Sequence, residues 1–138
     1  MHESLTKYLP YLSNDEIGEL IVDQKNAGTV EHLKQMPYVN YSKIIDLFTI
    51  DVHLFLNAHK EMGLNFYQNI LESNGIKWNM ESMISQEIEN LDAKCILALI
   101  IAVIRADRIC EGTLFCFFAN GSIIRWLERL QVLDIENQ

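Results

Sequence analysis

Helical spacing, rather than alternation, organises the apolar positions of this sequence. Leu5, Tyr8, Leu9 and Leu12 recur on one helical face until Pro10 disturbs the segment, and Asn14 then offers a cap to a helix over Asp15–Lys25 with acids in its first turn. Asn26-Ala27-Gly28-Thr29 is a breaker, and Val30–Gln35 reads as a turn of helix ending before Pro37. Ser42 then caps the clearest amphipathic stretch, Lys43–Met62. It places Ile44, Ile45, Phe48, Val52, Phe55, Leu56 and Met62 on one face and Asp46, His53, Asn57 and Lys60 on the wet one, with Gly63 as its stop. A short helix over Phe66–Ser73 ends at Asn74-Gly75, and a weakly patterned one follows over Trp78–Glu89.

Asp92 caps Ala93–Ile109, which is apolar nearly all round, the mark of a helix surrounded by others. Lys94, Ala98, Ala102 and Arg105 share a narrow stripe on it, where small side chains let a neighbouring helix come close. Gly112 breaks the path, Thr113–Ala119 is a short aromatic helix, Asn120-Gly121 ends it, and Ser122 caps Ile123–Leu133. No stretch alternates with period two for long enough to predict a sheet. The expectation is an all-α fold: a compact bundle of about six to eight helices around the central helix at 93–109, forming a single domain over 1–138.

Composition narrows the class. The chain has 138 residues, 49% of them hydrophobic and 22% charged, which is enough for a core that needs no disulfide or structural metal. The longest apolar run, Cys95–Ile104, falls well short of the roughly 20 residues that cross a bilayer. Neither a membrane span nor a basic-then-apolar export signal is read, and cytoplasmic residence is expected. The cysteines Cys95, Cys110 and Cys116 form no Cys-x-x-Cys pair and are expected as reduced, buried thiols. A net charge of −8 repels phosphate backbones, so no direct nucleic-acid binding is expected. The charge is uneven. Residues 1–92 carry 6 Lys against 14 acids, whereas all four arginines, Arg105, Arg108, Arg125 and Arg129, lie in the carboxy-terminal third.

The densest polar cluster is Arg105, Asp107, Arg108, Glu111 and Gly112. On a continuing helix Arg105, Arg108 and Glu111 follow one another about 60° apart on one side while Asp107 points elsewhere. Two readings stand side by side: an anion clamp made by two guanidiniums, or a structural ion-pair network tying two helices together. Arg125 and Arg129 lie on the outward side of the last helix as solvated charges or partner contacts. His59 falls on the apolar face of its helix, as a buried general base or a core histidine bonded to a backbone carbonyl. His53 lies opposite, so the two rings cannot share a metal. Aromatics cluster at Phe115, Phe117, Phe118 and Trp126, and the three phenylalanines within four positions cannot all face one core, so a further helix, a partner or a second copy covers the outer ones. No zinc, phosphate-loop or nucleophile-elbow spacing is present, and no cofactor or metal is expected.

The string 104–112, Ile-Arg-Ala-Asp-Arg-Ile-Cys-Glu-Gly, followed by Asn-Gly-Ser-Ile-Ile-Arg-Trp-Leu-Glu-Arg-Leu at 120–130, resembles an uncharacterised bacterial and phage family. Its members read Arg-x-(Asp/Glu)-Arg-Phe-x-(Glu/Asp)-Gly and then a Gly-x-(Ile/Leu)-x-x-x-Leu-x-Arg-Leu helix. They also carry a Pro-Tyr-x-x-Tyr step before the amphipathic helix, matched by Pro37, Tyr38 and Tyr41, while Ile109 stands where the family usually has Phe. The resemblance covers roughly 100 residues and implies a small bacterial or mobile-element protein without an assigned activity.

Three functions are carried forward. The first is a noncatalytic interaction or regulatory module, such as a phage inhibitor of a host defence protein acting through an acidic amino-terminal face. Arg125, Arg129, Phe117, Phe118 and Trp126 are its candidate partner contacts. The second is a small enzyme or sensor that holds an anion or nucleotide with Arg105, Arg108 and Glu111. The third is a structural homodimer joined through Phe115–Trp126. The lack of a catalytic constellation weighs against an enzyme.

Overall fold

The computed structural model describes residues 2–12, 18–21, 38–77 and 79–136. The α-helices are α1 (Glu3–Thr6), α2 (Leu9–Leu12), α3 (Lys43–Ala58), α4 (Tyr67–Ser73), α5 (Met80–Ile84), α6 (Ala93–Ile109), α7 (Thr113–Ala119) and α8 (Ser122–Glu136). The all-α architecture expected from the pattern is the one adopted.

Helix α6 forms the spine. Asp92 takes the N-cap position and its carboxylate accepts from the Cys95 N–H at 2.8 Å. Every residue from Cys95 to Ile104 is at most 4% exposed, because α4, α7 and α8 pack around it. Its neighbour α8 contributes Ile123, Trp126, Leu127 and Leu130, all fully buried, and also supports α1 and α2. The buried face of α3 is Ile45, Phe48, Val52, Phe55 and Leu56, as its periodicity predicts. Edge-to-face rings link α3 and α7 with the turn between α1 and α2: Phe48 meets Tyr8 at 5.6 Å and Phe118 at 5.8 Å.

Boundaries depart from the sequence reading in informative ways. Helix α3 ends at Ala58, before Gly63. His59 adopts φ −124° and turns its Nδ1 back to the Phe55 carbonyl at 3.0 Å, and a single 3-10 turn at Lys60–Met62 follows. That bond, with the ring stacked on Phe55 at 4.1 Å, makes His59 a packed histidine rather than a free base. Ser42 sits at the N-cap of α3 but its hydroxyl makes no capping bond, and at α8 the Asn120 side chain, rather than Ser122, accepts the Ser122 N–H at 2.9 Å. The weak pattern over Trp78–Glu89 resolves into α5 and a 3-10 turn at Ile88–Asn90.

One expectation is overturned. Within the helix predicted over Asp15–Lys25, Gly18–Ile21 forms strand β1, which pairs antiparallel with β2 (Tyr38–Tyr41), Gly18 opposite Tyr41 and Ile21 opposite Tyr38. Gly18 is a poor helix residue, and the aromatic and β-branched Tyr-Val-x-Tyr run supplies a ladder that local spacing cannot reveal. The predicted Asn14 cap, the Asn26–Thr29 breaker and the Val30–Gln35 turn lie outside the described residues.

The amino-terminal helices are tied down by carboxylates. The His2 backbone N–H and Nδ1 meet Asp134 of α8 at 2.9 and 2.7 Å, and Asp51 of α3 accepts from the Tyr8 hydroxyl and pairs with Lys7 at 3.3 Å. The Tyr8 hydrogen bond, helped by Lys7, holds Asp51 below the ordinary carboxylate range against burial, which acts the other way. Burial and the same carboxylate push Tyr8 up to about 12. A depressed carboxylate contributes stability that is present above its unfolded pKa, near 3.8, and is lost as pH falls through its folded value. Urea midpoints should therefore fall as pH drops below about 4, and Asp51→Asn should flatten that acid limb. An unchanged acid limb in the variant would remove Asp51 from the account.

Candidate functional site

Asp107 organises the densest polar region, and it does so by leaving the helix surface for the turn that follows. Helix α6 stops at Ile109, and Gly112 takes φ +97°, in the left-handed region that only glycine enters without strain. The turn carries the start of α7 back over the end of α6. Asp107 Oδ1 then accepts the Gly112 N–H at 3.0 Å, the Leu114 N–H at 3.1 Å and the Tyr41 hydroxyl at 3.0 Å. The Tyr41 oxygen in turn accepts the Phe115 N–H at 3.0 Å. Donors at the start of α7 that have no partner inside their own helix are thereby satisfied from α6 and β2. Burial, followed by the Asp107 carboxylate, pushes Tyr41 above its ordinary range, and the nearby Glu111 charge acts in the same direction.

The three anion-binding candidates do not converge. Arg105 Nη2 donates to Asn65 Oδ1 at 3.0 Å, and its guanidinium lies 5.3 Å over the Tyr67 ring, so it serves the junction with α4. Glu111 is exposed in the turn beyond the helix end. Helical spacing does not extend to it because the helix has already stopped. Arg108 is exposed and its Nη2 approaches His53 Nε2 of α3 at 3.5 Å. Among the described residues no ion pair joins Arg105, Arg108 and Glu111. The expected structural network is therefore absent there, and so is a three-residue clamp.

Arg108 and His53 instead flank a groove of about 420 Å³ between α3 and the end of α6. Ile45, Asp46, Thr49 and Ile50 form its α3 wall, and Tyr41, Ile104, Asp107 and Leu114 close the other side. His53 is half-buried. Its pKa is lowered by burial first and then by the positive charges of Arg108 and Arg105. The neutral ring can present Nε2 to the guanidinium as an acceptor. Sequence reasoning placed His53 on a wet face and missed this role. The signal was the spacing of Asp46, Thr49 and His53, a polar line on the flank of α3 that faces its neighbour rather than bulk water.

The candidate partner contacts are taken up inside the chain. Phe117, Phe118 and Trp126 are at most 2% exposed, with Phe117 and Trp126 rings 5.6 Å apart, so the core covers them and they present no partner surface. Only Phe115 of the cluster stays half-buried. Arg125 donates to the Ile84 carbonyl at 3.1 Å and Arg129 to the Glu89 carbonyl at 3.0 Å. Arg125 thereby docks the end of α5, and Arg129 the 3-10 turn at Ile88–Asn90, onto α8. Of the thiols, Cys95 is buried, and burial raises it to about 11, but Cys110 and Cys116 are exposed. The described residues hold no group of three His, Cys, Asp or Glu side chains placed for a metal ion, and no helix among them is long and apolar enough to cross a membrane.

The family described as Family of unknown function (DUF6508) matches residues 2–136. The chain belongs to that family. The DUF6508 match extends beyond the segments that carried the resemblance and takes in α1, the strand pair and α3 as well as the α6–α8 region. No curated protein and no solved structure matches the chain. In this DUF6508 chain the Tyr41 step and the 104–112 string, 66 residues apart at the Tyr41–Asp107 bond, meet as one capping assembly.

Proposed function

We propose that this DUF6508 chain is a noncatalytic interaction module that receives an anionic group, a carboxylate or a phosphate, in the α3–α6 groove. The observation that carries the reading is Arg108: an exposed guanidinium at the groove with no carboxylate partner among the described residues, beside a histidine whose protonation its charge suppresses. Burial is the larger cause of the lowered His53 pKa, but an anion bound at the guanidinium would offset the charge contribution, favour protonation of His53 and recruit it as a second donor. Asp107, the acid next to Arg108 in the groove wall, has its Oδ1 engaged by three donors and is committed to the turn.

The groove is better supported than the acidic face. The described acids of residues 1–92 are distributed over α1, β1, α3, α4, α5 and the turns around them, and Asp51 and Asp92 are engaged in structural bonds. A role as an inhibitor of a host protein would run through the groove in this reading, with the net charge of −8 acting only at long range.

NMR titration with inorganic phosphate and with acetate tests it. Saturable shifts centred on His53 and Thr49 are expected in the wild type, with the His53 pKa rising as the anion binds. Arg108→Ala should abolish the response, and by itself should raise the His53 pKa, since a neighbouring positive charge is gone. Its stability should stay within roughly 0.5 kcal/mol of wild type, as for an exposed residue without a buried partner. Equal responses in both proteins would end the proposal.

A further inference from the structure

The outer face of α3 carries a second feature. Leu47, Ile50 and Leu54 are 40%, 53% and 58% exposed, on a helix whose opposite face is fully packed. Helical geometry puts Leu54 and Leu47 within about 60° of Ile50, a continuous apolar strip along the axis. On one side of it Asp51 turns to Tyr8 and Lys7 of the amino-terminal region. On the other side are Asp46 and His53, and Ile50 itself lines the groove. The strip and the groove are therefore one surface, with apolar side chains on the ridge of α3 and the Arg108 guanidinium across the groove.

From this we infer that the anionic group belongs to a polypeptide: the surface docks an amphipathic acidic segment of another protein, its apolar residues on Leu47, Ile50 and Leu54 and a carboxylate at Arg108 and His53. The inference rests on the groove reading above and names its ligand. Charge complementarity carries the acidic part, because a carboxylate finds within the same surface an exposed guanidinium that no described carboxylate pairs with. Area decides against a second copy of this chain. Three partly exposed aliphatic side chains offer far less than the ~800 Å² per partner of a stable dimer, but enough to seat the anchor residues of a short helix. A small free anion would gain nothing from the strip, whereas a helical segment can use the strip and the guanidinium together.

The test uses the full chain and a displayed random peptide library. Panning against wild type should enrich sequences that combine apolar residues at helical spacing with Asp or Glu. The enriched peptides should bind Leu54→Glu and Arg108→Glu roughly tenfold or more weakly, through lost apolar contact and like-charge repulsion respectively. Both positions are exposed, so melting temperatures should match wild type, and Leu54→Ala gives a milder check on the same strip. Enriched peptides that ignore either substitution would overturn the inference. So would concentration-dependent self-association of the wild type that Leu54→Glu abolishes, since the strip would then belong to a second copy. Failure of the two readings is separable with inorganic phosphate: if phosphate still shifts His53 in Leu54→Glu while no peptide is enriched, the peptide inference falls and the groove reading stands. If peptides bind through the strip while phosphate leaves His53 of the wild type unmoved and Arg108→Glu binds them normally, both fall.

Discussion

Asp107→Ala should lower the stability of the fold by about 2–4 kcal/mol, the sum expected for stranding several partly buried donors that share one charged acceptor. The Gly112 and Leu114 N–H groups and the Tyr41 hydroxyl all bond Asp107 Oδ1 at 3.0–3.1 Å, and none has an obvious replacement once the carboxylate is gone. Tyr41 would also lose its anchor while still accepting the Phe115 N–H, so β2 should loosen together with the start of α7. For a chain of this length the loss corresponds to roughly 10 °C in melting temperature. Asp107→Asn keeps an acceptor oxygen without the charge and should recover part of the loss. It should also let the Tyr41 pKa fall back toward its ordinary value, since the carboxylate raises it. Urea denaturation of the two variants measures this. A loss below about 0.5 kcal/mol for Asp107→Ala would mean that water replaces the cap and that the turn is held by other contacts.

Trp126→Ala should cost more, about 3–5 kcal/mol, a large part of the 5–15 kcal/mol by which domains of this size are stable. Trp126 is fully buried on α8 and its ring meets Phe117. Truncation would open a cavity in the middle of the core, where the surrounding helices cannot collapse freely. Trp126→Phe separates volume from polarity. The indole N–H is buried and has no hydrogen-bond partner among the described residues, so removing it forfeits no bond seen there and relieves an unsatisfied donor. The Phe variant should therefore sit far closer to wild type than the Ala variant. Comparable losses in both would show that the indole shape, rather than buried area, is what the core requires, and stability unchanged in Trp126→Ala would contradict the burial itself.

Asp107 and Arg108 separate the roles within the 104–112 string. Asp107 and Gly112 build the turn, Arg105 is engaged with Asn65 and Tyr67 at the α4 junction, and Arg108 is left exposed at the groove beside His53. A scan across the string should divide accordingly, with Asp107→Ala costing stability and Arg108→Ala costing binding. The sequence reading grouped Arg105, Arg108 and Glu111 because it extended one helix through all three. The chain instead turns after Ile109, so the shared side dissolves and Asp107, set aside as pointing elsewhere, becomes the centre.

Local chemistry alone determined a good deal. Uniform hydrophobicity identified α6 as the spine, Asp92 as its cap and Gly112 as the break. The boundaries at Ala93, Ile109, Thr113 and Ala119 follow from capping and breaker residues that act within a few positions of themselves. The buried face of α3 was legible because a helix covered on one side imprints its period on the sequence. What only the tertiary structure decided depends on residues far apart in the chain. The β1–β2 pairing joins segments whose ladder no local window contains, and the Asp107 cap needs Tyr41 from before α3. His53 and Arg108 meet across 55 positions, and the aromatic cluster of α7 and α8 proves to be core only because α3 and α6 cover it. Spacing along a chain reports which side of an element a residue occupies. Which other element faces that side is set by the packing of the whole, and in this DUF6508 chain that packing creates the groove.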